Sequence, residues 1–466
     1  MTIKMRSFGF SHRPLFALVL ALASSSTPLY AQGWLNDDSV NAVLRERVAS
    51  KRTVGIVVGA LEKGKAPKFY VAGISGSAVL LDSNAVFEIG SVTKVFTTAL
   101  LAEMVQRGEV GLDDPIARYL PSTVRVPSRN GRQVTLLDLA TQTSGLPRLP
   151  SNLDIKSMAN PYADYTVQQM YDFLSGYQLP RDIGSKFEYS NLGMGLLGHV
   201  LALRAGKSYE SLVTERILIP LGMRDTRITL TPPMRARLAP GHGDADTVVG
   251  NWDLPTLAGA GALRSTARDM VRFLAANLDS SLGPAARALA VAHVPLRDTD
   301  SQRMRIGLGW ITLTPFDIPL VWHNGQTGGY HTFIGFDPAR SRGVVALANS
   351  SKNIDDIGLH LLDARVPLGA PPKARTEIRI NPALLDAYVG VYELAPSFTL
   401  TVSREGNSLF GQATGQSKFQ LFPETETDFF WKVVDAQLSF VKDASGKVNQ
   451  IVLHQGGANI PGKRVQ

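Results

Sequence analysis

Three short groups of residues have the types and spacing to do chemistry. The first is Ser91-Val92-Thr93-Lys94. A serine hydroxyl is a poor nucleophile at neutral pH and needs a base within hydrogen-bond reach. If Ser91 opens a helix, Lys94 lies three positions on and on the same face. The helix N-terminus adds partial positive charge and free backbone N–H groups. A lysine crowded by positive potential and shielded from water can release its proton and act as the base. The plain alternative is a helix cap followed by a solvated lysine. The second group is Tyr189-Ser190-Asn191, the one Tyr-x-Asn in the chain. A tyrosine beside a lysine can be held as phenolate and shuttle protons, and an amide can hold both substrate and lysine. Its alternative is a buried tyrosine at a helix start, with Asn191 as the cap. The third group is WHNGQTGGYHTFIGFDP, residues 322–338. Gly325, Gly328 and Gly329 let a backbone edge approach another chain or a ligand. Such an edge can pair with an extended peptide and offer an N–H to an oxyanion, and His323 adds a donor beside it. A glycine-rich hairpin is the alternative.

Each pattern recurs or is mimicked elsewhere. Ser439 to Lys442 repeats the Ser-x-x-Lys spacing, but in an alternating segment that reads as a strand, where positions three apart face opposite ways. His454 to Gly456 repeats His-x-Gly. Gly193-Met194-Gly195-Leu196-Leu197-Gly198 matches a dinucleotide fingerprint, yet it follows Tyr-Ser-Asn rather than a hydrophobic strand, and reads as small residues in a packed helix. There is no Gly-x-Ser-x-Gly elbow and no His-Glu-x-x-His, so α/β-hydrolase and zincin readings lack their key residues.

The elements that must position these groups follow from periodicity. Helices are expected near residues 38–50, over 92–108 with Val95, Leu100, Leu101 and Met104 on its apolar face, and at 135–142, 191–205 and 265–278, the last capped by Ser265 or Thr266. Strands are expected at 53–61, 68–73, 306–313, 331–336 and 343–348. Helices in the middle and strands at both ends imply an α+β chain with an antiparallel sheet built from distant segments. Residues 366–380 hold three prolines and no apolar period, and read as a linker. Beyond it, short alternating segments at 399–402, 408–411, 418–421, 429–433, 437–441 and 448–453 read as a small antiparallel barrel or sandwich.

Composition narrows the function classes. The 466 residues carry a formal charge of +8, and Lys4, Arg6 and Arg13 in the first 31 residues account for three of it. The remaining excess is small and forms no run, so no nucleic-acid partner is expected. The chain has no cysteine, which excludes disulfides, thiolate catalysis and Cys-ligated metals. The eight histidines are scattered without a metal pair at helical spacing, and neither metal nor cofactor is expected. Basic residues followed by the apolar run from Leu15 to Ala23 and by Leu29-Tyr30-Ala31 read as an export signal cleaved near Ala31. The apolar run is too short to span a bilayer, so no stable membrane span is expected.

Taken in order, the three groups resemble the penicillin-recognising serine hydrolases: class C β-lactamases, secreted serine D-alanyl-D-alanine carboxypeptidases, D-aminopeptidases and related esterases. FEIGSVTK at 87–94, TLLDLATQTSGLP at 135–147, PLGM at 220–223 and HNGQTGGYHTFIGFDP at 323–338 carry the likeness, which covers roughly residues 40–360. It implies an antiparallel sheet flanked by helices plus an all-helical subdomain over residues 32–365. The tail, 381–466, is similar to the barrel-like appendage of some non-lactamase members. The resemblance further implies that Ser91 is the acylated nucleophile and that Lys94 and Tyr189 share the proton traffic. Asn191 would orient Lys94 and bind the substrate amide. His323 and Gly325 would contribute to substrate binding with Gln326, and the backbone N–H groups of Ser91 and Gln326 would form the oxyanion hole. His323 stands where β-lactamases usually have lysine, which favours the peptidase and esterase branches. The expected substrate is a D-alanyl peptide, a β-lactam or an ester; a class C-like β-lactamase, a carboxylesterase and a protein that is acylated without turnover are the alternatives. Oligomeric state is left open.

Overall fold

Ile56, Val57, Val58 and Leu61 sit almost without interruption in Gly55–Glu62, a composition that suits a strand covered on both faces. In the computed structural model, which describes residues 35–465 apart from 372–374, 396–397, 415–417, 433–435 and 456–457, this run is a central strand. The expected export signal and its expected cleavage site near Ala31 lie outside the described residues. Gly55–Glu62 pairs with Lys68–Gly73 on one side and, from far along the chain, with Arg342–Ala348 on the other. The eight-stranded sheet continues through His331–Asp337, Leu320–Gln326, Ile311–Leu313, Met304–Ile306 and Arg297–Asp298, antiparallel at every step. The chain thus builds one sheet from its two distant ends, as expected.

Close glycine contacts show how helices cover both faces. A Cβ at Gly59 or Gly343 would strike Val271 or Leu274 of Ala267–Leu278, while one at Gly335 would meet Leu362 of Asp355–Leu362. Gly335 is the neighbour of Phe336, the register partner of Gly343, so the two helices lie on opposite faces. A helical layer containing Thr93–Gln106, Leu136–Ala140, Asn191–Ala205 and Tyr209–Val213 completes this part. Thr93–Gln106 is buried all round from Thr93 to Met104, rather than on one apolar face. Its neighbours surround it, so apolar spacing alone under-read it.

Three expected boundaries shift for local reasons. Residues 306–313 form two strands, not one, because Gly309 takes φ +73° in a turn closed by Gly307 N–H to the Trp310 carbonyl. Ser265 belongs to a short strand, Arg264–Thr266, paired with Val86–Glu88, and Thr266 is the cap of the following helix. Leu136–Ala140 starts on a capping box between Thr135 and Asp138 and stops early, with Gln142 at φ +59°.

The tail is a closed eight-stranded antiparallel barrel. Its first and last strands, Gly390–Ala395 and Ala458–Arg464, escaped the sequence reading, yet their pairing closes the barrel through Tyr392 and Arg464. Pro461 and Gly462 blunt the strand signal of the last one. Its separate core centres on Tyr388, Tyr392, Leu438 and Phe440, with the rings of Tyr388 and Phe440 stacked at 4.4 Å. The described part of 366–380 has no regular structure. Arg52 donates to the Gly369 carbonyl at its start, and Arg375 pairs with Glu424 near its end. Among the described residues no helix is long and apolar enough to cross a membrane.

Candidate active site

The site is organised by a turn that only glycine fits well. Val86–Glu88 is held by Arg264–Thr266, and Gly90 then takes φ +49°. A Cβ at Gly90 would lie 2.8 Å from both the backbone N and O of Gln326. The short 3-10 turn Gly90–Val92 feeds directly into Thr93–Gln106, placing Ser91 at the helix start and Lys94 on its first turn. Lys94 is fully buried. Its Nζ lies 2.8 Å from Ser91 Oγ, 2.8 Å from Asn191 Oδ1 and 2.7 Å from the Ala260 carbonyl. Burial first, and the positive charge of Arg148 second, push the amine well below the ordinary lysine range.

The two acceptors on Lys94 are delivered by a backbone contact between helices. A Cβ at Gly195 would lie 2.8 Å from Leu257 Cα, and one at Gly198 would lie 3.0 Å from Gly259 Cα. The glycines that mimic a dinucleotide motif therefore let Asn191–Ala205 pack against Ala258–Gly261, as small residues in a packed helix should. That packing brings Asn191 and the Ala260 carbonyl to the same amine. Ser190, not Asn191, is the helix cap, accepting from Gly193 N–H at 2.8 Å. Asn191 is left free to reach Lys94. The corner is tied to the preceding loop by Ser190 Oγ donating to the Pro147 carbonyl and Asn191 N–H to the Arg148 carbonyl.

Tyr189 stands over this cluster. Lys94 Nζ is 4.8 Å and Arg148 Cζ 5.1 Å from its ring centroid. Burial pushes its hydroxyl up to about 12, with contact to Ser91 and the charge of Arg148 opposing. At neutral pH it is a phenol rather than a phenolate: the charge of Arg148 and the contact to Ser91 do not offset the loss of water.

Leu320–Gln326 forms the opposite wall. It pairs with His331–Asp337 over Val321 to Gln326 but with Ile311–Leu313 only as far as Trp322, so among the described residues the edge from His323 onward carries no further strand. Gly325 does not line the cleft. A Cβ there would sit 2.0 Å from the Ile89 carbonyl, and Thr332 Oγ1 donates to the same carbonyl at 2.9 Å. Gly325 thus lets the strand lie directly on the serine turn. His323 is 2% exposed, and its Nδ1–H donates to the Asn324 carbonyl at 2.6 Å. With Nδ1 carrying the proton, Nε2 of the neutral ring is an acceptor, not the donor anticipated. Burial, then the nearby Lys94, push the imidazole down to about 4.

A cleft of about 680 Å³ brings Ser91, Tyr189, Asn191, His323 and Gln326 together, with Lys94 beneath its floor. Sequence reasoning missed Arg148, Tyr162, Trp252 and Asp244 in its walls. Arg148 directly follows the Ser-Gly-Leu-Pro turn, a position that could have drawn attention; the others carry no local signal. Trp252 is held by a buried pair, its backbone N–H donating to Glu88 at 3.0 Å while Arg264 bonds the same carboxylate at 3.2 Å. Burial raises the Glu88 carboxyl. Among the described residues no group of three or more His, Asp or Glu side chains is placed to hold a metal ion.

Comparison with known proteins gives the family of the chain and the likeness of its fold. The Beta-lactamase family model matches residues 40–365, and a Domain of unknown function (DUF3471) matches 374–464. The chain is 31% identical over 300 residues to the D-alanyl-D-alanine-carboxypeptidase/endopeptidase AmpH of Escherichia coli K12, covering 60% of this chain and 76% of the relative. It is 26% identical over 409 residues to penicillin-binding protein 4* of Bacillus subtilis strain 168, covering 81% and 87%. Among solved structures, the octameric penicillin-binding protein homologue from Pyrococcus abyssi superposes with a TM-score of 0.63 at 22% identity, over 92% of this chain and all of that one. The β-lactamase/D-alanine carboxypeptidase from Yersinia pestis gives 0.61 at 24% identity, over 71% and 99%. The chain belongs to the Beta-lactamase family and is a serine hydrolase of the β-lactamase/DD-peptidase type.

Proposed function

We propose that this protein cleaves the amide bond of D-alanyl peptides, β-lactams or both through an acyl-enzyme on Ser91. The observation that carries the reading is the triple contact of Lys94. An uncharged amine has two N–H donors and one lone pair. Asn191 Oδ1 and the Ala260 carbonyl can only accept, so they engage the two N–H groups and leave the lone pair for the Ser91 hydroxyl. Ser91 Oγ then attacks the substrate carbonyl as its proton passes to Lys94, and the amides of Ser91 and Gln326 receive the oxyanion. Breaking the C–N bond requires a proton on the leaving nitrogen, which Tyr189 delivers from its hydroxyl and recovers from Lys94. Water, deprotonated by the same pair, releases the acyl group and restores Ser91. Asn191 holds the substrate amide, and the free strand edge from His323 to Gln326 takes an extended substrate.

The named activities of the relatives support amide substrates. A second reading, ester hydrolysis, is favoured by one observation: His323 stays uncharged at neutral pH and offers no fixed charge to a substrate carboxylate. We further propose that residues 1–31 direct export, that 32–365 form the hydrolase, and that 381–466 form an appended domain. Mass spectrometry after exposure to a penicillin tests the mechanism. One covalent adduct on Ser91, absent in Ser91→Ala, is expected; an adduct elsewhere sinks it. Steady turnover of a D-alanyl-D-alanine peptide, a chromogenic cephalosporin or an aryl ester then distinguishes the substrates.

A further inference from the structure

The cleft holds two charged side chains, and they stand on different walls. Arg148 is on the Tyr189 side, its guanidinium over the Tyr189 ring. Asp244 is on the strand side, accepting from Ser351 Oγ at 2.5 Å, while Gln326 Nε2 donates to the Ser351 carbonyl at 3.1 Å. His323 adds no charge between them at neutral pH, because it is buried and held uncharged with its Nδ1–H on the Asn324 carbonyl. An anionic substrate group placed at the end of the strand would face a carboxylate and an imidazole lone pair. Arg148 is the opposite case. Among the described residues no carboxylate or carbonyl accepts from its side chain, and its guanidinium lies against the Tyr189 ring. A guanidinium stacked on an aromatic face keeps its planar fork of N–H groups free for a carboxylate.

We propose that Arg148 is a specificity-determining residue that binds a carboxylate on the acyl portion of the substrate. The acyl portion is assigned because Asn191, which would hold the substrate amide, is bonded through its own N–H to the Arg148 carbonyl, so an acyl chain gripped by Asn191 runs past Arg148. The strand end, next to Asp244, disfavours anions and tolerates neutral or cationic groups. The preferred substrate is therefore an acyl donor whose acyl chain ends in a carboxylate. This rests on Ser91 being the nucleophile of the cleft.

The test uses the full chain and three aryl esters with one leaving group, whose acyl chains end in a carboxylate, an uncharged isostere or an ammonium group. kcat/KM is measured for each, and acylation of Ser91 is followed by mass. In the native protein the carboxylate ester is expected to lead its neutral isostere by tenfold or more at low salt, with the lead shrinking as salt screens it. Arg148→Gln should bring that ratio close to one, Arg148→Lys should keep most of it, and Arg148→Glu should shift the preference to the ammonium ester. The preference should act through KM and stay constant from pH 6 to 9, because guanidinium does not titrate there. If Ser91 is acylated by all three esters and the ratios stay within twofold across the variants, the assignment to Arg148 is overturned alone. If none of the esters labels Ser91, the reading of the site falls and takes this assignment with it.

Discussion

The molecule contains two serine clusters that look alike in sequence and differ in chemistry. Ser91 and Lys94 begin a helix; Ser439 and Lys442 lie on the barrel strand Ala436–Lys442. In the first, the lysine amine sits 2.8 Å from the hydroxyl and is sealed from water. In the second, Lys442 is exposed, and Ser439 Oγ instead donates to Asp428 and lies 3.0 Å from His454 Nε2. His454 Nδ1 in turn contacts Asn459 at 2.6 Å, so a serine, an imidazole and an amide are strung together. This still makes no nucleophile. The one hydroxyl proton of Ser439 is directed at the Asp428 carboxylate and not at the imidazole, whose Nδ1–H is in turn donated to Asn459 Oδ1. The separation from Lys442 also has a cause beyond simple alternation, because a bulge between Val441 and Lys442 interrupts the pattern. Spacing becomes chemistry only where the proton of the hydroxyl has a base to go to.

The sharpest way to break this contrast is to change each cluster in turn. Ser91→Ala should abolish acylation, whereas Ser439→Ala should leave it intact, both read by intact mass after exposure to penicillin. Lys94→Ala should lower kcat/KM by about 100- to 10,000-fold, the usual range for losing a general base. Lys94→Arg should not rescue, since arginine keeps its proton. An active arginine variant would show that Lys94 supplies only charge.

A smaller effect tests the turn that positions the first cluster. Gly90→Ala must hold a left-handed φ and force its Cβ against the Gln326 backbone. The expected outcome is a kcat loss of about 10- to 100-fold, the scale of an ångström-level misplacement, with a stability loss of about 1–3 kcal/mol. Denaturant titration alongside single-turnover kinetics separates the two. Unchanged kcat would show that the contact with Gln326 is not what sets the oxyanion geometry.

How much of this was legible depended on whether a feature is local. Ser91, Lys94, Tyr189, Asn191 and His323 stand in short motifs, and the cleft gathers them. The Ala260 carbonyl carries no sequence signal, because any residue has a carbonyl and only the Gly195–Gly198 packing puts this one on Lys94. The proton states were also hidden. That Tyr189 stays a phenol and His323 a neutral acceptor follows from burial and from one backbone hydrogen bond, neither of which periodicity can show. In the fold, buried alternating strands were visible, but the split at Gly309 and the closing strand with Pro461 were not, since backbone turns and barrel closure override local propensity.

The barrel gives a further, smaller contrast. Its core is separate from that of the preceding part of the chain, and none of its described residues lines the cleft. A chain ending near Val366 is expected to fold and to be acylated by penicillin at a rate within about threefold of the full chain, by the logic that distant, unshared sites act additively. Insoluble expression of the shortened chain would show that the proposed division at 366–380 is wrong.

The smallest expected effect on activity concerns His323 and separates it from Arg148. An unperturbed imidazole would charge as pH falls through about 6.5, and binding of anionic substrates would then improve across the neutral range. With the imidazole held down to about 4, no such change should occur between pH 6 and 9. The ratio of kcat/KM for a penicillin and an uncharged ester should stay level there, and only below about pH 5 should His323 begin to favour the anion. Stability runs the other way. The unfolded chain takes up a proton on this histidine at about 6.5 while the folded protein refuses it until about 4, so stability falls as pH drops through that window, by on the order of 3 kcal/mol. His323→Asn should remove this component, read as a shallower fall of the urea midpoint from pH 7 to 4. An inflection in the substrate ratio near pH 6.5, lost in His323→Asn, would mean that the imidazole is wet and reads substrate charge itself, and the division of labour between His323 and Arg148 would have to be given up.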